Sequence, residues 1–251
     1  MRNRTMNQVL LIGSVTHQPE LRYTTTGKAM LEFSIAGESE IQMEAAVRNL
    51  AWYHRVSVFG TDAETWIEHL QAGTTLLIEG SLDYRTWETQ DGQKRNSVQV
   101  KPNHIERLSR PESDLVQDMG GGFRLSKGTN EVRLIGNLGR DIEVRQTPQG
   151  ETVASVSLAV SESWKVGTAG NERHEKTHWF EMSFWKALAQ RAASLRKGDP
   201  IWLSGRLKND SWVDKEGNKR STSRIEVLHF EALERLGSSK SALAESETPV
   251  V

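Results

Sequence analysis

Two long stretches of this chain are weak copies of each other, and that constrains its architecture more than any single motif. Asn7, Gly13, Arg22, Gly27, Ser34 and Ala36 recur as Asn130, Gly136, Arg145, Gly150, Ser157 and Ala159, at a constant offset of 123. After a short indel, Gly73, Gly80, Leu82, Trp87, Gly92, Lys94 and Arg95 recur as Gly198, Gly205, Leu207, Trp212, Gly217, Lys219 and Arg220, now offset by 125. Solenoid units run to about 20–50 residues and cannot fold alone. A period this long instead marks duplicated domains of roughly 105 residues each, enough to bury a core apiece.

Composition then removes whole classes of function. The chain has no cysteine, so disulfide frameworks and thiolate metal sites are excluded and a reducing compartment fits. No apolar stretch approaches the ~20 residues of a membrane span, and Met1 to Gln8 is polar, without a signal-peptide core. A soluble cytoplasmic protein is expected. The net charge of -1 does not advertise a polyanion partner, so the placement of charge matters more than its sum. No Walker-type phosphate loop is present, and nothing resembles a duplex-reading recognition helix.

Each copy reads as strand-rich. Gln8–Ile12, Met30–Ala36 and Trp52–Phe59 in the first match Glu131–Ile135, Val153–Val160 and Trp179–Trp185 in the second, by β-branched alternation and aromatic density. A helix follows: Thr61 or Asp62 caps a segment with Trp66, Ile67 and Leu70 at helical spacing, and Gly73 stops it. Lys186 to Lys197, ending at Gly198, is its counterpart. Two more strands, Thr75–Trp87 and Ser97–Leu108, flank a turn at Gln90–Gln93 centred on Asp91-Gly92. Three strands, a helix and two strands is the order of a five-stranded Greek-key OB barrel. The expected fold is therefore all-β with one short helix per domain: two tandem OB barrels at 1–110 and 129–236. Residues 111–128, with Gly120-Gly121-Gly122, read as a flexible linker and 237–251 as a disordered tail.

Here the residues carry a family resemblance. Asn130-Glu-Val-Arg-Leu-Ile-Gly-Asn-Leu-Gly-Arg-Asp-Ile-Glu-Val-Arg145 followed by Ser157-Leu-Ala-Val-Ser-Glu-Ser-Trp164 resembles the opening of the bacterial single-stranded DNA-binding protein family. The first copy resembles it through Pro19-Glu-Leu-Arg-Tyr23, Tyr53-His-Arg-Val56, Phe59-Gly60 and Glu79-Gly80. The tandem arrangement resembles the Deinococcus and Thermus group, whose chains pair as homodimers to supply four barrels. The resemblance implies sequence-independent binding and protection of single-stranded DNA in replication, recombination and repair. It also implies an acidic C-terminal tip ending in Pro-Phe that recruits repair and replication proteins, where this chain has Thr248-Pro-Val-Val251.

Strand parity tests this reading against elementary chemistry, because alternate residues face opposite sides of a sheet. Tyr53, Arg55, Ser57 and Phe59 share one face, and His54, Val56 and Val58 the apolar one. In the second copy Trp179, Glu181, Ser183 and Trp185 share the first kind of face, while Phe180, Met182 and Phe184 point inward. Single strands expose flat bases and a charged backbone, and the matching surface is aromatic platforms in a basic groove. Tyr53, Phe59, Tyr84 and Trp87, then Trp164, Trp179, Trp185 and Trp212, are the candidate platforms. The candidate phosphate-neutralising cations are Arg22, Arg55, Arg85, Lys94 and Arg95, then Arg145, Lys165, Lys186, Lys219 and Arg220. Trp66, on the helix, and Trp202, in an apolar strand, read as packing residues.

The copies are not equivalent. Ile41 stands where the second copy has Trp164, Arg55 where it has Glu181, and His54 where it has Phe180. Different contacts and unequal affinities are expected. Stacking platforms do not separate ribose from deoxyribose, so an OB-fold RNA-binding or protein-interaction module is the competing reading. His174-Glu-Lys-Thr-His178 matches the H-E-x-x-H pattern of zinc hydrolases, which needs a helix to bring both His to one face. Here a strand follows at once, and an extended chain parts the two His by about 13 Å. No metal, cofactor or catalytic group is expected.

Overall fold

The computed structural model describes residues 5–42, 47–88, 94–166, 172–213, 217 and 219–235. At 42, 87, 94–95, 164–166, 172–173, 211–213 and 219–221 the description covers the backbone only. The first repeat comprises β1 (Met6–Val15), β2 (Glu20–Tyr23), β3 (Ala29–Gln42), β4 (Val47–Phe59), α1 (Thr61–Ile67), β5 (Thr75–Glu88) and β6 (Lys94–Arg107). Two short strands, β7 (Leu115–Gln117) and β8 (Phe123–Leu125), lead to the second repeat. That repeat comprises β9 (Thr129–Leu138), β10 (Glu143–Gln146), β11 (Thr152–Val166), β12 (Glu172–Trp185), α2 (Ala187–Ala192), β13 (Pro200–Val213) and β14 (Lys219–Ala232).

The pairings close each repeat into a ring. β1 pairs with both β3 and β5, β5 with β6, and β3 with β4; a parallel contact between Val56 and Val100 joins β4 to β6. The second ring repeats this through β9, β11, β12, β14 and β13, with Met182 and Ser183 beside Ile225 and Glu226 as its parallel contact. Both rings are five-stranded barrels of OB order. The short β2 and β10, which sequence periodicity did not reveal, pair only with the outer part of β3 and β11. Closure needs a sharp bend in β5 and β13, and each bulges there, next to Gly80 and Gly205. A Cβ at Gly80 would lie 2.2 Å from the Lys101 carbonyl oxygen, and one at Gly205 2.3 Å from that of Glu226. Only glycine lets the strands approach so closely.

The barrels join through β1 and β9, antiparallel from Met6 opposite Ile135 to Ile12 opposite Thr129, so one sheet runs through both. Val9, Leu11, Val132 and Leu134 point inward from this seam and are buried.

Three expectations need correction. Residues 111–128 are not a flexible linker. After a 3₁₀ turn at Glu112–Asp114, β7 and β8 form a hairpin, with β8 beside β3 at Gly37. Leu125 is buried, the Phe123 amide donates to the Thr16 carbonyl, and Arg124 bonds Glu38 at 2.6 Å. The glycine run suggested freedom, but the apolar residues on either side of it anchor the segment. Second, neither helix has a side-chain cap: the N-cap residues are Gly60 and Lys186, at φ 69 and 53. Third, α2 ends at Ala192, short of the expected Lys197. The turn expected at Gln90–Gln93 and the tail 237–251 lie outside the described residues.

Candidate nucleic-acid interface

On β4 the parity places Tyr53 and Arg55 in solvent and buries His54, Val56 and Val58. Ser57 shares the outer parity yet is buried, its hydroxyl bonded to Glu32 and Gln99. Tyr53 is 39 % exposed. Phe59 is half-buried, with the Arg85 guanidinium 5.5 Å and the Lys28 ammonium 5.6 Å from its ring centroid. Arg22 and Arg55 line one groove together with His17, Glu20 and Ser34. Arg22 also pairs with Glu20 at 3.2 Å, both largely in water, a contact worth little. The first barrel thus collects aromatic and cationic groups on one side.

The second barrel repeats the plan with different chemistry. Trp179 is 47 % exposed and its ring lies against Gly139, where a Cβ would come within 2.7 Å of the indole. Trp185 is half-buried at the end of the same face. Glu181, the position of Arg55, pairs with Arg140 at 3.8 Å. Lys186 is exposed and pairs with Glu151 at 3.4 Å. Arg145 is exposed on β10. Arg140 and Lys28 escaped the sequence reading because both sit in loops, where parity gives no signal.

Tyr84 corrects an expectation. It lies on the inward side of β5 with Leu82, packed on the core, because even positions of this strand face inside the barrel. Its amide donates to His178 Nδ1 of the second barrel at 3.1 Å. Arg85, one residue on, faces outward and also pairs with Asp83 at 2.9 Å. For the remaining candidates the strand register is described and the side chains are not. Trp87 faces Arg95 and Glu88 faces Lys94 across the β5–β6 hairpin; Trp212 faces Arg220 and Val213 faces Lys219 in the second barrel. Trp164 faces His174 and Lys165 faces Arg173.

Polar contacts flank the apolar β1–β9 seam and bond the two barrels to each other. Asn7 and Asn130 hold equivalent places: each donates to, and accepts from, the backbone of Leu82 or Leu207 in its own barrel. Asn7 also donates across the seam to Glu162 at 2.7 Å. Asn209 donates to the Tyr53 carbonyl at 2.7 Å and lies 3.2 Å from His54 Nδ1. Burial pushes the His54 pKa down to about 3, so this imidazole is neutral. Burial pushes the Asp83 carboxyl up, yet Lys176 and Arg85 beside it hold it below the usual carboxylate range.

The profile of the single-strand binding protein family matches residues 6–108 and again 129–233. The chain belongs to that family. A single-stranded DNA-binding protein of Deinococcus radiodurans is 45 % identical over 234 residues, spanning 92 % of this chain and 77 % of its own. One from Thermus aquaticus is 41 % identical over 229 residues, spanning 91 % and 84 %. The crystal structure of the wild-type Thermus aquaticus single-stranded DNA binding protein superposes with a TM-score of 0.73 at 36 % identity, covering 97 % of this chain and 100 % of that one.

This family is non-enzymatic, which removes the zinc-hydrolase alternative. The geometry agrees: His174, Glu175 and His178 lie on strand β12, with His174 exposed and His178 buried. Among the described residues no cluster of three His, Asp or Glu side chains could hold a metal. None of the described helices is long and apolar enough to cross a membrane.

Proposed function

We propose that this chain binds single-stranded DNA without sequence preference and protects it during replication, recombination and repair in the bacterial cytoplasm. The observation that carries the reading is the pair of matched outer faces: Tyr53 and Phe59 in one barrel, Trp179 and Trp185 in the other, each beside cations. Bases stack on the rings; Arg22, Arg55 and Arg85, then Arg145 and Lys186, neutralise phosphates. Trp87, Lys94 and Arg95, with Trp164, Lys165, Trp212, Lys219 and Arg220, are the remaining members of the proposed set, carried on the long hairpin strands. Binding holds the strand open by mass action, which melts hairpins and keeps nucleases away.

The active form in this reading is a homodimer with four barrels. Its support is the outer face of the seam sheet, where Leu10, Ile12, Leu77, Ile135 and Trp202 are only half-buried in the monomer. A stable monomer in light scattering overturns the dimer.

Titration of tryptophan fluorescence with oligo-dT of increasing length, in low and high salt, tests the binding itself. Quenching by single strands and not by duplex is expected. Absence of quenching and of binding in low salt would mean that these faces serve protein contacts. Competition between matched DNA and RNA oligomers measures the preference between them.

A further inference from the structure

Met119 is the most exposed of the large apolar side chains described, at 108 % relative exposure. It sits at the tip of the β7–β8 hairpin, and that tip is held in place. The preceding Asp118 accepts the Tyr53 hydroxyl on Oδ2 at 3.2 Å and the Gly120 and Gly122 amides on Oδ1, both at 2.9 Å. Gly122 is packed against the loop after β1, and a Cβ there would stand 2.8 Å from His17 Cε1. His17 lines the groove that also holds Arg22 and Arg55. The hairpin therefore abuts the first barrel's candidate face on one side, touching the ring that would stack a base.

An apolar side chain held in water gains nothing from packing, and a thioether is adaptable and polarizable enough to lie against a flat ring system. We propose that the hairpin tip belongs to the single-strand face of the first barrel, with Met119 contacting the base stacked on Tyr53. Asp118 is a positioning residue that fixes both. The inference rests on the single-strand reading above. The Asp118 charge faces three hydrogen-bond donors, so the phosphates run on the Arg22 and Arg55 side and the bases on the Tyr53 and Met119 side. Among the described residues the second barrel has no counterpart of this hairpin, so the contact adds to the inequality of the two barrels.

Methionine oxidation in the intact chain tests this directly. Dilute peroxide converts Met119 to the sulfoxide, and peptide mass spectrometry reads the rate with and without an oligo-dT of roughly 30 nucleotides, long enough for two barrels. Anisotropy on the same mixture reports saturation, and duplex of equal length is the control. The rate should fall at least about threefold on the single strand and stay unchanged with duplex. In parallel Met119→Ala should weaken binding about fivefold, the loss of one modest base contact, with an unchanged salt slope and melting temperature. Asp118→Ala should weaken binding in the native background and add little where Met119→Ala and Tyr53→Phe together have removed both groups that it holds. An unprotected Met119 at saturation overturns the proposal while leaving the single-strand reading intact. Absence of any single-strand binding in the anisotropy channel overturns that reading and this proposal together.

Discussion

Trp179→Ala separates stacking from phosphate contact. The indole is 47 % exposed, rests on Gly139 and has no core to complete, so its loss should cost folding no more than about 1 kcal/mol. A base stacked on it contributes ~1–3 kcal/mol. With one face backed by the protein and the other open, about 2 kcal/mol is reasonable, or roughly 30-fold in Kd at 1.4 kcal/mol per decade. Because stacking releases no counterions, the slope of log K against log salt should not change. Gly139→Ala supplies a second route. Its methyl would meet the ring at 2.7 Å and Ser157 Oγ at 2.6 Å, which displaces the platform without deleting it. It should lose part of the affinity in the native background and nothing further in Trp179→Ala. The assay is anisotropy with labelled oligo-dT over a salt series, with melting curves as the folding control. A Trp179→Ala Kd within twofold of the unsubstituted protein, or a loss accompanied by a changed salt slope, would refute the reasoning.

The same salt series distinguishes the two barrels' charges. Arg55→Ala should weaken binding and lower the slope by about 0.7, one single-strand phosphate, whereas Glu181→Ala frees Arg140 and should strengthen binding by two- to threefold with a slope raised by up to about 0.7. His54→Phe, the residue type of the second barrel, should remove an acid sensitivity. The folded-state pKa of about 3 lies below the unfolded 6.5, so the unfolded chain binds the proton first and stability falls as pH drops through 6.5 towards 3. At pH 5 that cost is about 2 kcal/mol, and urea denaturation at pH 7 and 5 should show a loss larger by this amount in the unsubstituted protein than in His54→Phe. Equal losses in both proteins would remove His54 as the cause. Asn7→Ala breaks three hydrogen bonds, two of them to the Leu82 backbone, and should cost about 3 kcal/mol. Asn130→Ala removes two bonds to Leu207 and a contact with the neutral His54 ring and should cost somewhat less, because the Glu162 carboxylate is the stronger acceptor; a larger cost for Asn130→Ala would refute this.

The duplication was legible because glycine recurs wherever backbone approach demands it, as at Gly80 and Gly205, and those constraints act on single residues. The two barrels followed from the order of periodic segments. Face assignment on β4 and β12 was legible because alternation is local. On β5 the same alternation allows only one of Tyr84 and Arg85 on the outer face, since adjacent residues point to opposite sides, and the core claims the tyrosine. The hairpin at 115–125 was hidden by its own composition: three glycines signal freedom to a reader of sequence, while the anchors Leu115, Phe123 and Leu125 act only once the barrel wall is present.

Comparing the copies column by column also misses where function is kept by exchange. Trp52 and His54 stack at 5.2 Å in the first barrel, and the same two columns hold His178 and Phe180, stacked at 5.7 Å, in the second. The ring pair survives with its order reversed. His17 and Arg55 give way to Arg140 and Glu181, which moves the cation from strand to loop. Lys28 beside Gly60 gives way to Glu151 beside Lys186, again moving the positive charge across a contact. Read singly, Glu181 and Glu151 argue that the second face repels a phosphate backbone. Read as pairs, each acidic substitution comes with a cation on its spatial partner, so the second barrel keeps a near-neutral face. The first barrel leaves Arg55 and Lys28 without an ion-pair partner among the described residues. That difference predicts that most of the salt dependence of binding resides in the first barrel and that aromatic stacking carries the second, and the paired salt slopes of Arg55→Ala and Glu181→Ala measure it.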